Sequence, residues 1–445
     1  MAGEGHVVTA AIRLIVICAG LVASALATEA GATAFYNRQT GQPCGACHTA
    51  PPELTAFGRR FMLNGFTMSG GNRGIPLSTY LEAGFTTTAK DVPTPRQGLN
   101  ANDNVELQKF KVLGGGAITD TVGAFAEVVY YGIEDNLRLG NVDVRHADSA
   151  TVGKRDLVYG ITLNNNPGFQ DPWNSTLART WPYARSLAIP TPRVSALLDG
   201  PLAQRAVGVS GYGFIDDALY VELGGYRKID RDTQDSLGLD PGNSRTIDGI
   251  APYVRIAYES KVPGGTLTVG ASMLDADLSH PGERGTGTDS VLNLGLDALY
   301  QWGRGPHEVT VRAALNRERW SLDSSVAQGL ATHTSSRVNN LRLSASYLNG
   351  KRYSGTVGYF SRTGSTDPLF FGTFNGKPDT EGFHFDAFMI NPFFPPPSWH
   401  PGMRTRIGIT YTLFTRFDGA KHNYDGNGRN ASDNNTTFLY FLWAF

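Results

Sequence analysis

The chain closes on Tyr440-Phe441-Leu442-Trp443-Ala444-Phe445, an alternation that sets Phe441, Trp443 and Phe445 on one face of an extended strand and Tyr440, Leu442 and Ala444 on the other. At the edge of a soluble sandwich such a long, flat aromatic strand invites pairing with other chains. Closure into a barrel in lipid removes the edge and gives the aromatic face a partner. Working back from this end, the stretch Val122-Gly123-Ala124-Phe125-Ala126-Glu127-Val128-Val129-Tyr130-Tyr131 has barrel-spanning length and is bounded by Gly, Asn and Asp. Similar segments run through 107–113, 157–163, 207–214, 219–226, 253–258, 267–274, 292–302, 309–320, 341–348, 354–361, 383–390 and 406–417. With the last strand these make about fourteen, and weak candidates at 142–144 and 194–198 bring an even-numbered antiparallel barrel to about sixteen. Polar stretches from Lys228 to Thr246, around Ser279 to Ser290, and from Asp418 to Asn435 read as its long outer loops.

Composition agrees with β structure: 53 glycines, 41% hydrophobic and only 18% charged residues suit neither a disordered chain nor an ordinary helical enzyme. With 39 Lys plus Arg against 40 Asp plus Glu, no charge bias points to nucleic acid. Arg13 precedes an apolar run from Leu14 to Leu26, and Ala25-Leu26-Ala27 supplies the small-x-small pattern of a signal-peptidase site, so cleavage after Ala27 is expected. The run is shorter than the roughly 20 apolar residues of a spanning helix. Cys18 follows the bulky Ile17, where a lipoprotein signal wants a small residue.

Past that segment the cysteines are Cys44 and Cys47, in Cys44-Gly45-Ala46-Cys47-His48. Two thiols at this spacing add to the vinyl groups of haem, and the adjacent imidazole faces the iron, which makes His48 the expected axial ligand of one covalent haem c. The alternative is a redox-active or metal-binding C-x-x-C beside an accidental His. Pro51-Pro52-Glu53 opens a short helix with Leu54, Phe57 and Phe61 on one face, Arg59 and Arg60 late, and Gly65 as its stop. That apolar face covers either the haem edge or an ordinary neighbour, and the two arginines either pair with haem propionates or are solvated. Met62 and Met68 are the near candidates for a sixth ligand, with His384 and His400 more distant. The loop acids Asp230, Asp232, Asp235, Asp418 and Asp425 show no metal-ligand spacing. The expected organisation is a signal peptide at 1–27, a small α-helical monohaem cytochrome domain at 28–75, a linker at 76–104, and an all-β transmembrane antiparallel barrel at 105–445. The cytochrome segment is too small to bury a core alone and leans on the rest.

The stretch Ala34-Phe35-Tyr36-Asn37-Arg38-Gln39-Thr40-Gly41 before the cysteine motif and Pro52-Glu53-Leu54-Thr55-Ala56-Phe57-Gly58-Arg59 after it resemble the fused monohaem cytochrome-porin family of iron-oxidising bacteria. Asn164-Asn165-Asn166-Pro167 and Gln170-Asp171-Pro172-Trp173-Asn174-Ser175 extend the likeness, and Phe445 resembles the terminal recognition signal of bacterial outer-membrane barrels. The resemblance implies a barrel in the outer membrane of a Gram-negative bacterium. Electrons from extracellular Fe(II) would enter the haem and pass to a periplasmic carrier such as a soluble c-type cytochrome. No residue selects iron over manganese, sulfur compounds or a mineral surface, so iron is what the resemblance implies. Electron transfer at a haem edge needs no bond-making site in the protein. Two other classes fit the same residues: a passive outer-membrane porin with a haem-bearing plug, and a soluble secreted β-protein with a cytochrome module.

Overall fold

The computed structural model describes residues 34–50, 52–71, 76–178, 184–239, 244–280, 287–390 and 404–444. The expected signal segment, Phe445 and His400 lie outside them. Three short helices come first: α1 (Ala34–Thr40), α2 (Cys44–Cys47) and α3 (Ala56–Leu63). The strands follow: β1 (Leu77–Thr88), β2 (Asn104–Ala117), β3 (Val122–Tyr131), β4 (Asn136–Val152), β5 (Arg155–Asn164), β6 (Ala206–Ile215), β7 (Leu219–Lys228), β8 (Ile247–Asp248) and β9 (Ala251–Val262). Next are β10 (Gly265–Ser279), β11 (Thr288–Arg304), β12 (His307–Ser321), β13 (Ser335–Asn349), β14 (Tyr353–Gly364), β15 (Thr380–Ile390), β16 (Arg404–Arg416) and β17 (Thr436–Ala444).

Among the described residues, sixteen of these strands pair antiparallel in chain order, β7 meets β9 directly, and β1 closes on β17 from Tyr80↔Ala444 to Thr88↔Thr436. The two-residue β8 rides on β10 outside that ring. Side chains alternate as a membrane barrel requires. On the outer face Ile161 and Leu163 of β5, Leu294 and Leu296 of β11, Phe383 and Phe385 of β15, Ile407 and Ile409 of β16, and Leu439 and Phe441 of β17 are all exposed. Lumen-facing neighbours such as Thr162, Asn293, Asp297, Asp386, Thr410 and Tyr440 are buried. An apolar exterior on a sheet without edges is stable in hydrocarbon and in no aqueous compartment, so this is an outer-membrane barrel.

Tight turns at 118–121, 153–154, 216–218, 263–264, 305–306 and 350–352 lie at one end of the barrel, where β1 starts and β17 stops. At the other end the connections 89–103, 165–205, 229–250, 280–287, 322–334, 365–379 and 417–435 are longer, only 132–135 being short. The short-turn end is periplasmic and the long-loop end external, by the general asymmetry of these barrels. All three stretches read as outer loops lie at the external end. Tyr258, Tyr347 and Tyr353 are exposed on the outer face near the periplasmic turns, as an interfacial aromatic girdle.

Two strands differ from the sequence reading. Leu77–Thr88, expected within a linker, is β1; its lipid face is diluted by Ala83 and Thr87, which weakens the apolar period. The weak candidate at 142–144 is the middle of the long β4, whose Asp143 and Arg145 point into the lumen and mimic a polar loop. The candidate at 194–198 is no strand. Its Ala196, Leu197 and Leu198 are buried within the 165–205 connection, and the Leu197 amide donates to Glu318 Oε1 at 2.7 Å instead of to a ladder.

Depth in the bilayer decides the cost of a charge on the outer face. Leu296→Arg, at the midpoint of β11, is expected to destabilise the barrel by about 2–4 kcal/mol in denaturant titrations in lipid vesicles, and Val105→Arg, at the external end of β2, by about 0–1 kcal/mol. Equal costs at the two positions would contradict this placement of the hydrocarbon layer.

Candidate functional site

Residues 34–71 enter the barrel from the periplasmic end, and the wall itself fixes their position. The Phe35 amide donates to Ser78 Oγ at 3.3 Å and Tyr36 donates its hydroxyl to the Ala124 carbonyl at 3.1 Å. Gln39 ties three segments together. Its side-chain amide donates to the Phe66 and Met68 carbonyls at 2.7 and 3.0 Å, while its oxygen accepts from the Ala117 amide at 2.9 Å. Tyr36, Phe61 and Phe66 stack among themselves with centroids 4.8–6.0 Å apart.

The C-x-x-C-H stretch forms a single helical turn clamped to the start of α3. The Thr55 amide donates to the Cys47 carbonyl at 2.9 Å, the Thr55 hydroxyl to the Ala46 carbonyl, and the same hydroxyl caps α3 by accepting from the Gly58 amide at 3.2 Å. Gly58 allows this approach, since a Cβ there would lie 2.2 Å from the Cys47 carbonyl oxygen. Cys44 and Cys47 are half-exposed and unbridged. Burial, and after it the neighbouring Cys44, pushes the Cys47 thiol up to about 11. That is opposite to the lowered value of a disulfide-exchange C-x-x-C, whose thiolate attacks. His48 donates from Nδ1 to the Glu53 carbonyl at 3.1 Å, which fixes the tautomer with its lone pair on Nε2. A metal-binding imidazole is commonly held in this way.

The two arginines after the motif are committed to the barrel. Arg59, 2% exposed, reaches Glu259 on β9 at 2.7 Å and Gln301 on β11 at 2.8 Å. Arg60 meets Asp217 in the β6–β7 turn at 2.7 Å. Glu53 pairs with Arg312 of β12 at 2.8 Å, and Lys351 of the β13–β14 turn donates to the His48 carbonyl at 3.3 Å. Met62 and Met68 belong to the aromatic cluster of Tyr36, Phe61 and Phe66, with Leu54 packed on the same group. His384 points into the lumen from β15, bonded through Nδ1 to Thr412 Oγ1 at 2.9 Å.

From above, the 165–205 connection folds into the lumen and meets this plug. Its Trp173 indole donates to Glu259 at 2.6 Å, the carboxylate that Arg59 also holds, and its Asn174 amide donates to the Pro52 carbonyl at 3.1 Å. Asp171 lies 3.1 Å from Arg255, which also pairs with Asp297 at 2.8 Å. Gln170 donates to Glu222 and to Tyr226, and its carbonyl accepts from Arg145, itself paired with Asp143 at 2.8 Å. Arg145, Arg255 and Glu222 are fully buried although they face the lumen of a pore-sized barrel. The plug and the inward loop therefore fill that section.

None of these wall charges stood out in the sequence as a site. The signal was available: a charged residue between outward apolar ones, as in Val254-Arg255-Ile256, marks a lumen position that needs a counter-charge.

No family model matches the chain and no curated protein matches it in sequence, so the likeness to fused cytochrome-porins rests on the quoted residues. Among solved structures the chain is similar to Salmonella typhi OmpF in complex with daunomycin, at 14% identity and TM-score 0.49 over 83% of this chain and 97% of that one. It is also similar to an anion-selective porin from Comamonas acidovorans, at 10% identity and TM-score 0.46 over 84% and 99%. The outer-membrane channel DcaP of Acinetobacter baumannii aligns at 10% identity and TM-score 0.45 over 83% and 96%.

Gly58→Ala forces α3 away from the Cys44–Cys47 turn. The expected cost is about 1–3 kcal/mol, read as faster amide hydrogen exchange at Ala46–His48 while the strands keep their protection. Unchanged exchange there would mean that the close approach does not hold the turn.

Proposed function

We propose that this outer-membrane barrel is an electron conduit: its lumen is closed by the N-terminal plug, and the plug carries one haem c attached at Cys44 and Cys47 with His48 as axial ligand. The observation that carries the reading is the burial of lumen-facing Arg145, Arg255 and Glu222, because a wall built as a pore but packed shut favours traffic other than bulk solute. The residues at the motif fit the group. Two half-exposed thiols share one helical turn, the imidazole tautomer is set by the Glu53 carbonyl, and Thr55 and Gly58 hold the turn against α3. Bound there, a haem would supply one-electron exchange, with a potential tuned by ligation, burial and hydrogen bonding. The chain's own work is to seat that group at the periplasmic mouth, within reach of a soluble carrier, and to seal the passage around it. Fe(II) as the external donor follows from the resemblance.

The test is stopped-flow absorbance of the detergent-purified, oxidised protein mixed with Fe(II), with Cys47→Ala as control. Prompt appearance of reduced c-type bands in the wild type alone is expected; a haem reducible by dithionite and not by Fe(II) would remove iron as donor and keep the conduit.

A second reading, the passive porin with a haem-bearing plug, is favoured by the inward-folded 165–205 connection, which narrows the lumen while leaving a polar lining. Conductance separates the two. In planar bilayers the wild type is expected to pass little current, and Arg59→Met, which leaves Glu259 with the Trp173 indole and the Thr268 hydroxyl but without its counter-charge, to pass markedly more as the plug loosens. A wild-type current of open-pore size would favour the passive porin.

A further inference from the structure

On the outer face of β12 and β13, at the external end, three arginines stand together. Asn316, Glu318 and Trp320 of β12 and Ser336, Val338 and Asn340 of β13 are buried toward the lumen, so Arg317, Arg319 and Arg337 between them point outward. The ladder sets Arg319 directly opposite Arg337, and Arg317 holds the next outward position on β12. Depth follows from β13 itself. Arg337 and Tyr347 share its outer face ten residues apart, and ten residues of a strand tilted by about 35–45° climb about 24–28 Å along the membrane normal, the height of the apolar band. With Tyr347 in the periplasmic girdle, Arg319 and Arg337 reach the headgroups of the outer leaflet, and Arg317 lies about 5 Å below them.

Like charges directly opposite each other on a sheet repel and destabilise it. Among the described residues no carboxylate pairs with any of these three guanidinium groups, and the Nε of Arg317 is buried with no hydrogen-bond partner. The flanking outward acids, Asp275 on β10 and Glu381 on β15, are each two strands away. Glu381 accepts from the Tyr359 hydroxyl, and Asp323, just past the end of β12, accepts from Ser321 Oγ at 2.8 Å. Beside and below the arginines the same face is aliphatic, with Leu294 of β11, Leu315 of β12 and Leu343 of β13 exposed.

We propose that Arg317, Arg319 and Arg337 bind the phosphate groups of a phosphorylated lipid of the outer leaflet, of the lipid A class, whose acyl chains lie on the leucines beneath. A guanidinium meets a phosphate with paired N–H donors, in charge-assisted bonds shorter and stronger than neutral ones. A phosphate at headgroup level supplies the counter-charge that Arg319 and Arg337 lack within the protein. The leucines decide between a lipid and a free anion, because a soluble phosphate gains from the arginines and nothing from the apolar strip. The site lies on the outside of the barrel and is independent of the haem.

The experiment uses full-length protein in a neutral detergent, with wild type, the double variant Arg319→Gln/Arg337→Gln, and Arg304→Gln, an exposed arginine at the periplasmic end of β11. The probes are fluorescent bisphosphorylated lipid A, the same lipid stripped of its phosphates, and inorganic phosphate as competitor; folding is read from heat-modifiable gel migration. Lipid A is expected to bind wild type and Arg304→Gln alike and the double variant about tenfold or more weakly. The stripped lipid should bind wild type no better than the double variant, and inorganic phosphate at equal concentration should leave lipid A bound. Equal affinity of lipid A for wild type and double variant, or an equal loss in Arg304→Gln, overturns the site. Displacement by equal inorganic phosphate overturns the lipid as its ligand. A second copy of the chain on this face would appear in light scattering as an oligomer that the double substitution splits without lipid, and that result also overturns the proposal. Should the double variant fail to fold, wild type alone decides, since undiminished binding of the stripped lipid overturns the phosphate contact.

Discussion

A strand in hydrocarbon cannot leave its amides and carbonyls unpaired, because each costs several kcal/mol away from water. The whole architecture follows from meeting that demand at one seam, the antiparallel pairing of β1 with β17. It brings the first strand against the last and places both at the same rim. The helices that precede β1 therefore have one mouth to enter, the periplasmic one. The seam also fixes which side chains face inward. A slip of one residue between Tyr80 and Ala444 would turn Glu82 toward lipid and Leu81 toward the lumen.

Closure creates a second demand inside. Lumen-facing charges are harmless in a water-filled pore, but here Arg145, Arg255, Glu222 and Asp297 are enclosed by the plug and by the 165–205 connection. Each must find a partner or pay for desolvation, and the partners come from all three bodies at once. Glu259 is a clear case, since Arg59 of the plug and Trp173 of the loop meet on one wall carboxylate. Such buried pairs add little net stability over well-packed hydrophobics. Their effect is on register, because a plug seated a turn away leaves several charges stranded together. We take this as the reason α3 carries Arg59, for which the sequence left haem propionates and solvent both open as partners.

The period-2 pattern made the barrel legible, and most strands with an unbroken apolar face could be placed from it. It failed where the lipid face is built from Thr and Ala, as in β1, and where lumen charges crowd one strand, as at Asp143 and Arg145 of β4. The Cys44–His48 motif could be picked out as well, since three residue types at fixed spacing need no fold to be noticed. The surroundings of that motif could not. Glu259, Arg312 and Arg406 lie hundreds of residues downstream, and only the closed sheet makes them neighbours of Cys44–Glu53.

The filling of the lumen is also lopsided. On the side of β4 to β9, aromatic rings and ion pairs pack the interior around Trp173, Tyr212 and Tyr220. On the side of β12 to β16 two small voids lie one above the other: one of about 10 Å³ at Asp386, Phe388 and Thr356, and another of about 40 Å³ at His384, Gly358 and Ser344. The second is one lumen-facing position further out along each of β13, β14 and β15, a step of about 6.6–6.8 Å. A simple plug gains nothing from leaving one sector loosely filled, because unfilled volume forfeits dispersion contacts. The plug is thus held by rigid pairing on one wall, at Arg59 and Glu259, and faces the small hydroxyl residues Ser346, Ser354 and Thr356 on the other.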